Sequence, residues 1–149
     1  MKRSLAILGV AAALAITWSM GRVQGEGKQK EEKKLIFASA DDVKFTEIRP
    51  GGAHHAVLWG DPNSGSHGRF IKFPPERRTP GIHTHTNDVW LVVLKGAYLY
   101  KDDAGEKRVG PGSFLRIPGG TKHWSGGDAK EGALFYAESS GKFDQIPAK

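Results

Sequence analysis

The chain has 149 residues, 38% hydrophobic and 26% charged, with 20 glycines, eight prolines and no cysteine. That length suits one domain, and the missing cysteines exclude both disulfides and a lipidated-cysteine anchor. The formal charge is +6, but Lys2, Arg3 and Arg22 supply three of those charges and residues 1–25 hold no acid, which leaves +3, too little to argue for a nucleic-acid partner.

Residues 1–25 read as a secretory signal peptide. Lys2 and Arg3 give a basic start, Leu5–Met20 is a continuous apolar core, and Val23-Gln24-Gly25 offers small residues for cleavage near Gly25. A retained membrane anchor is the alternative, but the apolar core of 16 residues falls short of the roughly 20 that span a bilayer. The expected location is periplasmic or secreted, with no stable membrane insertion once the signal is removed. Residues 26–34 are polar and mixed in sign, a flexible leader. The folded domain is expected over residues 35–149, stabilised by its own core because no disulfide can help.

Short apolar runs then alternate with turn signals. Lys44–Ile48 ends at Pro50-Gly51-Gly52, His55–Trp59 at GDPNSGSHG, and Arg69–Phe73 at Pro74-Pro75. Val89–Leu94 ends at Lys95-Gly96, Ala97–Lys101 at the hairpin-like DDAGE, and Ser113–Ile117 at PGGT; Ala133–Ser139 is the last strong run. After the first 25 residues no segment carries a helical period over ten residues, and no repeat of 20–50 residues is present. About seven short strands with tight turns predict an all-β sandwich or barrel. Val89–Leu94 is apolar at every position, which predicts a central strand covered on both faces.

The residues with chemical capacity precede that run. In HTHTND, His83 and His85 lie two apart, so on a strand they point to one face and can share a cation. His123 follows the PGGTK turn, where a side chain can enter the same space. Neutral imidazoles suit iron, zinc, copper and nickel, and three of them leave positions open for water or substrate.

The spacing resembles the cupin superfamily. Its first motif, G-x5-H-x-H-x3,4-E-x6-G, is met by His83, His85 and Gly96; its second, G-x5-P-x-G-x2-H-x3-N, is met by Gly112, Pro118, Gly120 and His123. The resemblance covers roughly residues 68–139, and WGDPNSGSHGRFIKFP with HTHTND is similar to a ChrR-like cupin family. It implies a jelly-roll β-barrel holding a divalent transition metal (Fe, Zn, Mn, Ni or Cu) on His83, His85 and His123, a small-molecule ligand or substrate, and pairing into a homodimer. Three positions depart from the motifs: Arg77 and Gly127 replace the first glycine and the last asparagine, and Val89 stands where the motif has glutamate. Asp88 lies one residue off and should face outward, so it becomes a fourth ligand only if a β-bulge turns it inward. Some cupin dioxygenases use three histidines and no carboxylate, so the resemblance implies a dioxygenase-like oxidoreductase acting on a small anionic molecule. A non-catalytic ligand-binding or sensing module, with or without metal, is the alternative, because fold does not fix function.

The other polar and aromatic side chains have plainer expectations. His54 and His55 are adjacent, so at most one faces the interior; His67 sits in a Gly/Ser loop and is expected in solvent. Arg69 and Lys72 lie on opposite faces, and either could meet an anion, though a surface charge is the simpler expectation. Trp90 is expected to pack away from the metal, and Trp124, beside His123, is the pocket candidate. No Ser-His-Asp pattern, P-loop or dinucleotide fingerprint is present.

Overall fold

The structure, a computed structural model, describes residues 34–48 and 52–149. The expected signal peptide over 1–25 and all of the leader except Lys34 lie outside the described residues. Within the unit Leu35–Lys149 there are eleven strands and no helix among the described residues. The strands are β1 (Thr46–Glu47), β2 (His54–Gly60), β3 (His67–Phe73), β4 (His83–Thr84), β5 (Val89–Gly96), β6 (Tyr98–Asp102), β7 (Gly105–Val109), β8 (Phe114–Ile117), β9 (Trp124–Gly127), β10 (Ala133–Ser139) and β11 (Ile146–Pro147). All seven expected runs contain a strand. The short strands β4, β7, β9 and β11 were not expected, because each is polar, glycine-rich or only two residues long and shows no apolar alternation.

Six strands form one sheet in the order β1-β2-β3-β10-β5-β8, and β7-β6-β9 and β11-β4 form two smaller sheets. The all-β expectation is met, and hydrogen bonding arranges the strands as three sheets that do not close on themselves, with an isolated bridge from His83 to His123 joining β4 to the segment before β9. Tyr98 from the three-stranded sheet packs against Phe135 of the large sheet, ring centroids 5.1 Å apart, and both lie near Phe73. These contacts close one core between the sheets, with Leu91, Val93, Phe135 and Ile117 almost fully buried.

Strand register explains which residues face inward. Arg69 opposes Ala137, Ala137 opposes Leu91, and Leu91 opposes Leu115; His67, Ser139, Val89 and Ile117 form the next row. Directly opposed residues share a face, so these rows line the interior. β5 is therefore not the doubly covered central strand expected from its apolar run. It lies between β10 and β8 with Leu91 and Val93 inward, while Trp90 and Val92 are only half-buried. A bulge leaves Leu94 without a partner on β10, and Leu94 is 43% exposed. β5 ends at Gly96, whose φ of 69° suits glycine and where a Cβ would meet the Gly132 carbonyl oxygen at 2.3 Å.

Candidate metal centre

Two separate segments bring three histidines together. The His83 N–H donates to the His123 carbonyl at 2.9 Å, and the His123 N–H donates back to the His83 carbonyl at 3.0 Å. A pair that exchanges both bonds sits directly opposite, so its imidazoles project side by side; the ring centroids are 4.4 Å apart. His85 is two residues beyond His83 and shares its face. Its ring lies 5.1 Å from that of His83 and 5.3 Å from that of His123. The ligand nitrogens of all three lie within 4.8 Å of one another.

Backbone carbonyls orient the rings. Nδ1 of His83 faces the Gly81 carbonyl at 3.2 Å, Nδ1 of His123 the Thr121 carbonyl at 3.0 Å, and Nδ1 of His85 the Asp144 carbonyl. A carbonyl can only accept, so each Nδ1 carries the hydrogen and each Nε2 carries the lone pair. His123 is 1% exposed, and its Nε2 is buried without a hydrogen-bond partner. An orphaned acceptor in a cluster of like-oriented imidazoles fits a metal ion. Burial, the largest cause in each case, pushes the pKa of His85 and of His123 below the ordinary histidine value and keeps the rings neutral, the form that ligates.

His83 and His85 open onto an interior cavity of about 90 Å³. Val89 and Leu91 form part of its wall, so the position of the motif glutamate is an apolar one that faces the cavity. Asp88 faces the other way, as strand alternation requires. Its carboxylate accepts from Arg116 Nη2 at 2.6 Å and from the Gly119 N–H at 2.8 Å, and it is not part of the histidine group. The bulge of β5 lies at Leu94, far along the strand from Asp88, so nothing turns that carboxylate inward. Trp124 lines a second depression together with His123, Lys101, Asp102 and Lys122, and the lining of the cavity beside His83 and His85 includes neither Trp124 nor His123.

Three features depart from the sequence reading or were missed by it. His67 is 1% exposed on β3 rather than solvated, with Nδ1 facing the Gly65 carbonyl at 3.0 Å. Arg69 is 5% exposed and lines the cavity rather than the surface. The signal was present in RFIKF, because period-two alternation puts Arg69 with Ile71 and Phe73. Phe143 and Asp144 come from a segment with no strand-like pattern. They reach the site because β11 pairs with β4, and Asp144 also accepts from the Thr86 N–H at 2.9 Å.

Residues 69–137 match the Cupin_2 family, described as the cupin domain. The domain is a member of the cupin superfamily. Among solved structures, this cupin resembles KdgF from a Halomonas species, with 19% identity and a TM-score of 0.59 over 74% of this chain and 97% of that one. It also resembles the polyketide cyclase RemF from Streptomyces resistomycificus, with 23% identity and a TM-score of 0.60 over 76% and 83% of the two chains. The likeness to the Rhodobacter sphaeroides SigE complex with the anti-sigma ChrR is distant, with 20% identity and a TM-score of 0.55 over 68% of this chain and 51% of that one. At these identities the likeness is one of fold. No curated protein matches the sequence.

Proposed function

We propose that this cupin binds a divalent transition metal through His83, His85 and His123 and uses it on a small anionic molecule in the adjoining cavity, as a dioxygenase-like oxidoreductase. The observation that carries the reading is the buried, unpartnered Nε2 of His123 within a group of three imidazoles whose Nδ1 atoms all face carbonyls. Bound there, the metal would supply a Lewis acid with coordination positions left for a substrate. The chain's own residues do the rest. The carbonyls of Gly81, Thr121 and Asp144 fix ring orientation, and Val89, Leu91 and Phe135 exclude water from the cavity wall.

The second reading, a cupin that holds a ligand without turnover, has its own support. Val89 stands in place of the motif carboxylate, which leaves the group of three histidines without an acidic member. Elemental analysis of protein purified without chelator, beside a His83→Ala/His85→Ala control, tests the metal. Near-stoichiometric metal in the first and none in the second supports the site, and iron with O₂ uptake supports the oxidoreductase. Absence of metal from both, even after soaking, would sink the metal reading. Export is a further proposal, resting on the basic, apolar and small-residue pattern of residues 1–25. N-terminal sequencing of protein from a periplasmic fraction tests it, and a chain starting near residue 26 is the expected result.

A further inference from the structure

Arg69 is a cation built into the inner wall. On β3 it opposes Val57 and Ala137, and Ala137 opposes Leu91, which places Arg69 on the inward row. It is 5% exposed and lines the same cavity as His83 and His85. A guanidinium offers five N–H donors and no acceptor. Among the described residues its side chain makes one hydrogen bond, from Nη1 to His55 Nδ1 at 3.2 Å, and no carboxylate lies within ion-pair distance. Glu138 also borders the cavity, but alternation puts its side chain on the outer face, where it accepts from the Tyr136 hydroxyl at 2.7 Å. The other charged side chain of the wall is Arg77, a second cation. Burial lowers the Arg69 pKa to about 10, which still leaves it protonated at neutral pH.

A buried cation without a counter-ion is costly unless a partner completes it. Geometry indicates where that partner lies. The Arg69 guanidinium carbon sits 4.1 Å from the centre of the Phe143 ring, and the His85 ring sits 5.7 Å from the same centre. One side chain thus brings the cation and the histidine group to the same end of the cavity. Around it the wall is mixed, with Ile71, Leu91 and Phe135 beside the hydroxyl residues Thr79, Ser125 and Ser139, and the planar guanidinium fork matches the two oxygens of a carboxylate.

We infer that Arg69 anchors the ligand of this cavity, and that the ligand is a small carboxylate whose charged end pairs with the guanidinium while its other end faces His83 and His85. The inference rests on the cavity being a ligand site, and it names the class of molecule that site takes.

The test is calorimetric titration of chelator-treated protein with acetate, pyruvate and L-lactate, with lactamide as the neutral counterpart of lactate. Saturable binding of a carboxylate and none of lactamide is expected. Arg69→Met should weaken carboxylate binding at least tenfold, and Arg69→Gln, which keeps a polar group beside His55, serves if the methionine variant fails to fold, as judged by tryptophan fluorescence. The parent protein is titrated again after soaking in metal, with elemental analysis of the same sample. That arm separates the two ideas: a protein without metal that still binds carboxylate through Arg69 removes the metal reading alone. Failure of all three carboxylates to bind the parent protein, equal binding of lactamide, or affinity unchanged in the Arg69 variants would overturn the inference.

Discussion

His83 and His123 are joined by two backbone hydrogen bonds in an isolated bridge, and their rings stand 4.4 Å apart. The bridge links β4 to the segment entering β9, so the histidine group sits on a seam between two small sheets. In the metal-free protein that arrangement strands the His123 Nε2 in a dry place. An unsatisfied buried acceptor costs roughly 1–3 kcal/mol, and replacing it with an apolar group of similar size can be neutral or stabilising. His123→Leu should therefore leave the chelator-treated protein within about 1 kcal/mol of the parent, while abolishing any rise in unfolding midpoint on adding metal. Urea titrations with and without zinc measure both. A metal-dependent rise that survives in His123→Leu would remove His123 from the ligand set.

Acidification should weaken the fold before any carboxylate titrates. Burial is the largest cause lowering the pKa of His55, His67, His85 and His123, whereas in the unfolded chain these groups titrate near 6.5. Below 6.5 the unfolded chain takes up protons that the folded chain does not, so stability is full above that value and falls as pH drops towards the folded-state pKa values. The native carboxylates with lowered pKa, such as Asp88 and Asp128, act only below their ordinary 3.8. A urea midpoint lower at pH 5.5 than at pH 7.5 in metal-free protein is expected, with a smaller drop in His67→Gln. An unchanged or higher midpoint at pH 5.5 would contradict it.

Phe135 ties the large sheet to the three-stranded one. It is 2% exposed, packs on Phe73 and Tyr98 with centroids 5.1 Å away in each case, and forms part of the cavity wall. Phe135→Ala should cost about 3–5 kcal/mol, since the cavity it leaves adds to the lost transfer energy. Denaturant unfolding checks the size. A loss below about 1 kcal/mol would mean that the sheets do not share this core.

Asp88→Asn should leave metal content unchanged, because the carboxylate already serves Arg116 and the Gly119 N–H and lies outside the histidine group. The substitution should loosen the turn at Gly119 that precedes His123, seen as faster amide exchange there. Metal loss on this change, with amide exchange at Gly119 unaltered, would restore Asp88 as a ligand.

Much of this was legible in the residues. The punctuated apolar runs located seven strands, and strand alternation placed Asp88 and Trp90 away from the cavity. The H-x-H pair and the PGGTKH turn named the three histidines that the fold brings within 4.8 Å. What stayed hidden depended on long-range pairing. Nothing local in FDQIP reveals that β11 adds to β4 and carries Phe143 and Asp144 to the site. His67 looked solvated because a Gly/Ser loop surrounds it, yet β3 begins at that residue and β10 covers it. Val89–Leu94 looked central because composition cannot distinguish two buried faces from one buried face and a half-exposed one.

Position 89 offers the sharpest test of what the lost carboxylate means. Val89 opposes Ser139 and Ile117 on the inner row and lines the cavity shared with His83 and His85. Val89→Glu would place a carboxylate on that face, in the position the cupin motif reserves for glutamate. Without metal, a buried carboxylate is penalised, so the chelator-treated variant should unfold at lower urea than the parent and should lose more as pH rises and the group ionises. With metal, the added anionic ligand offsets the cation's charge, and affinity should rise at least tenfold. Chelator competition measures the affinity, and paired urea titrations measure the stability. A destabilised variant with unchanged metal affinity would show that position 89 does not reach the ion, and that any metal here relies on the histidines alone.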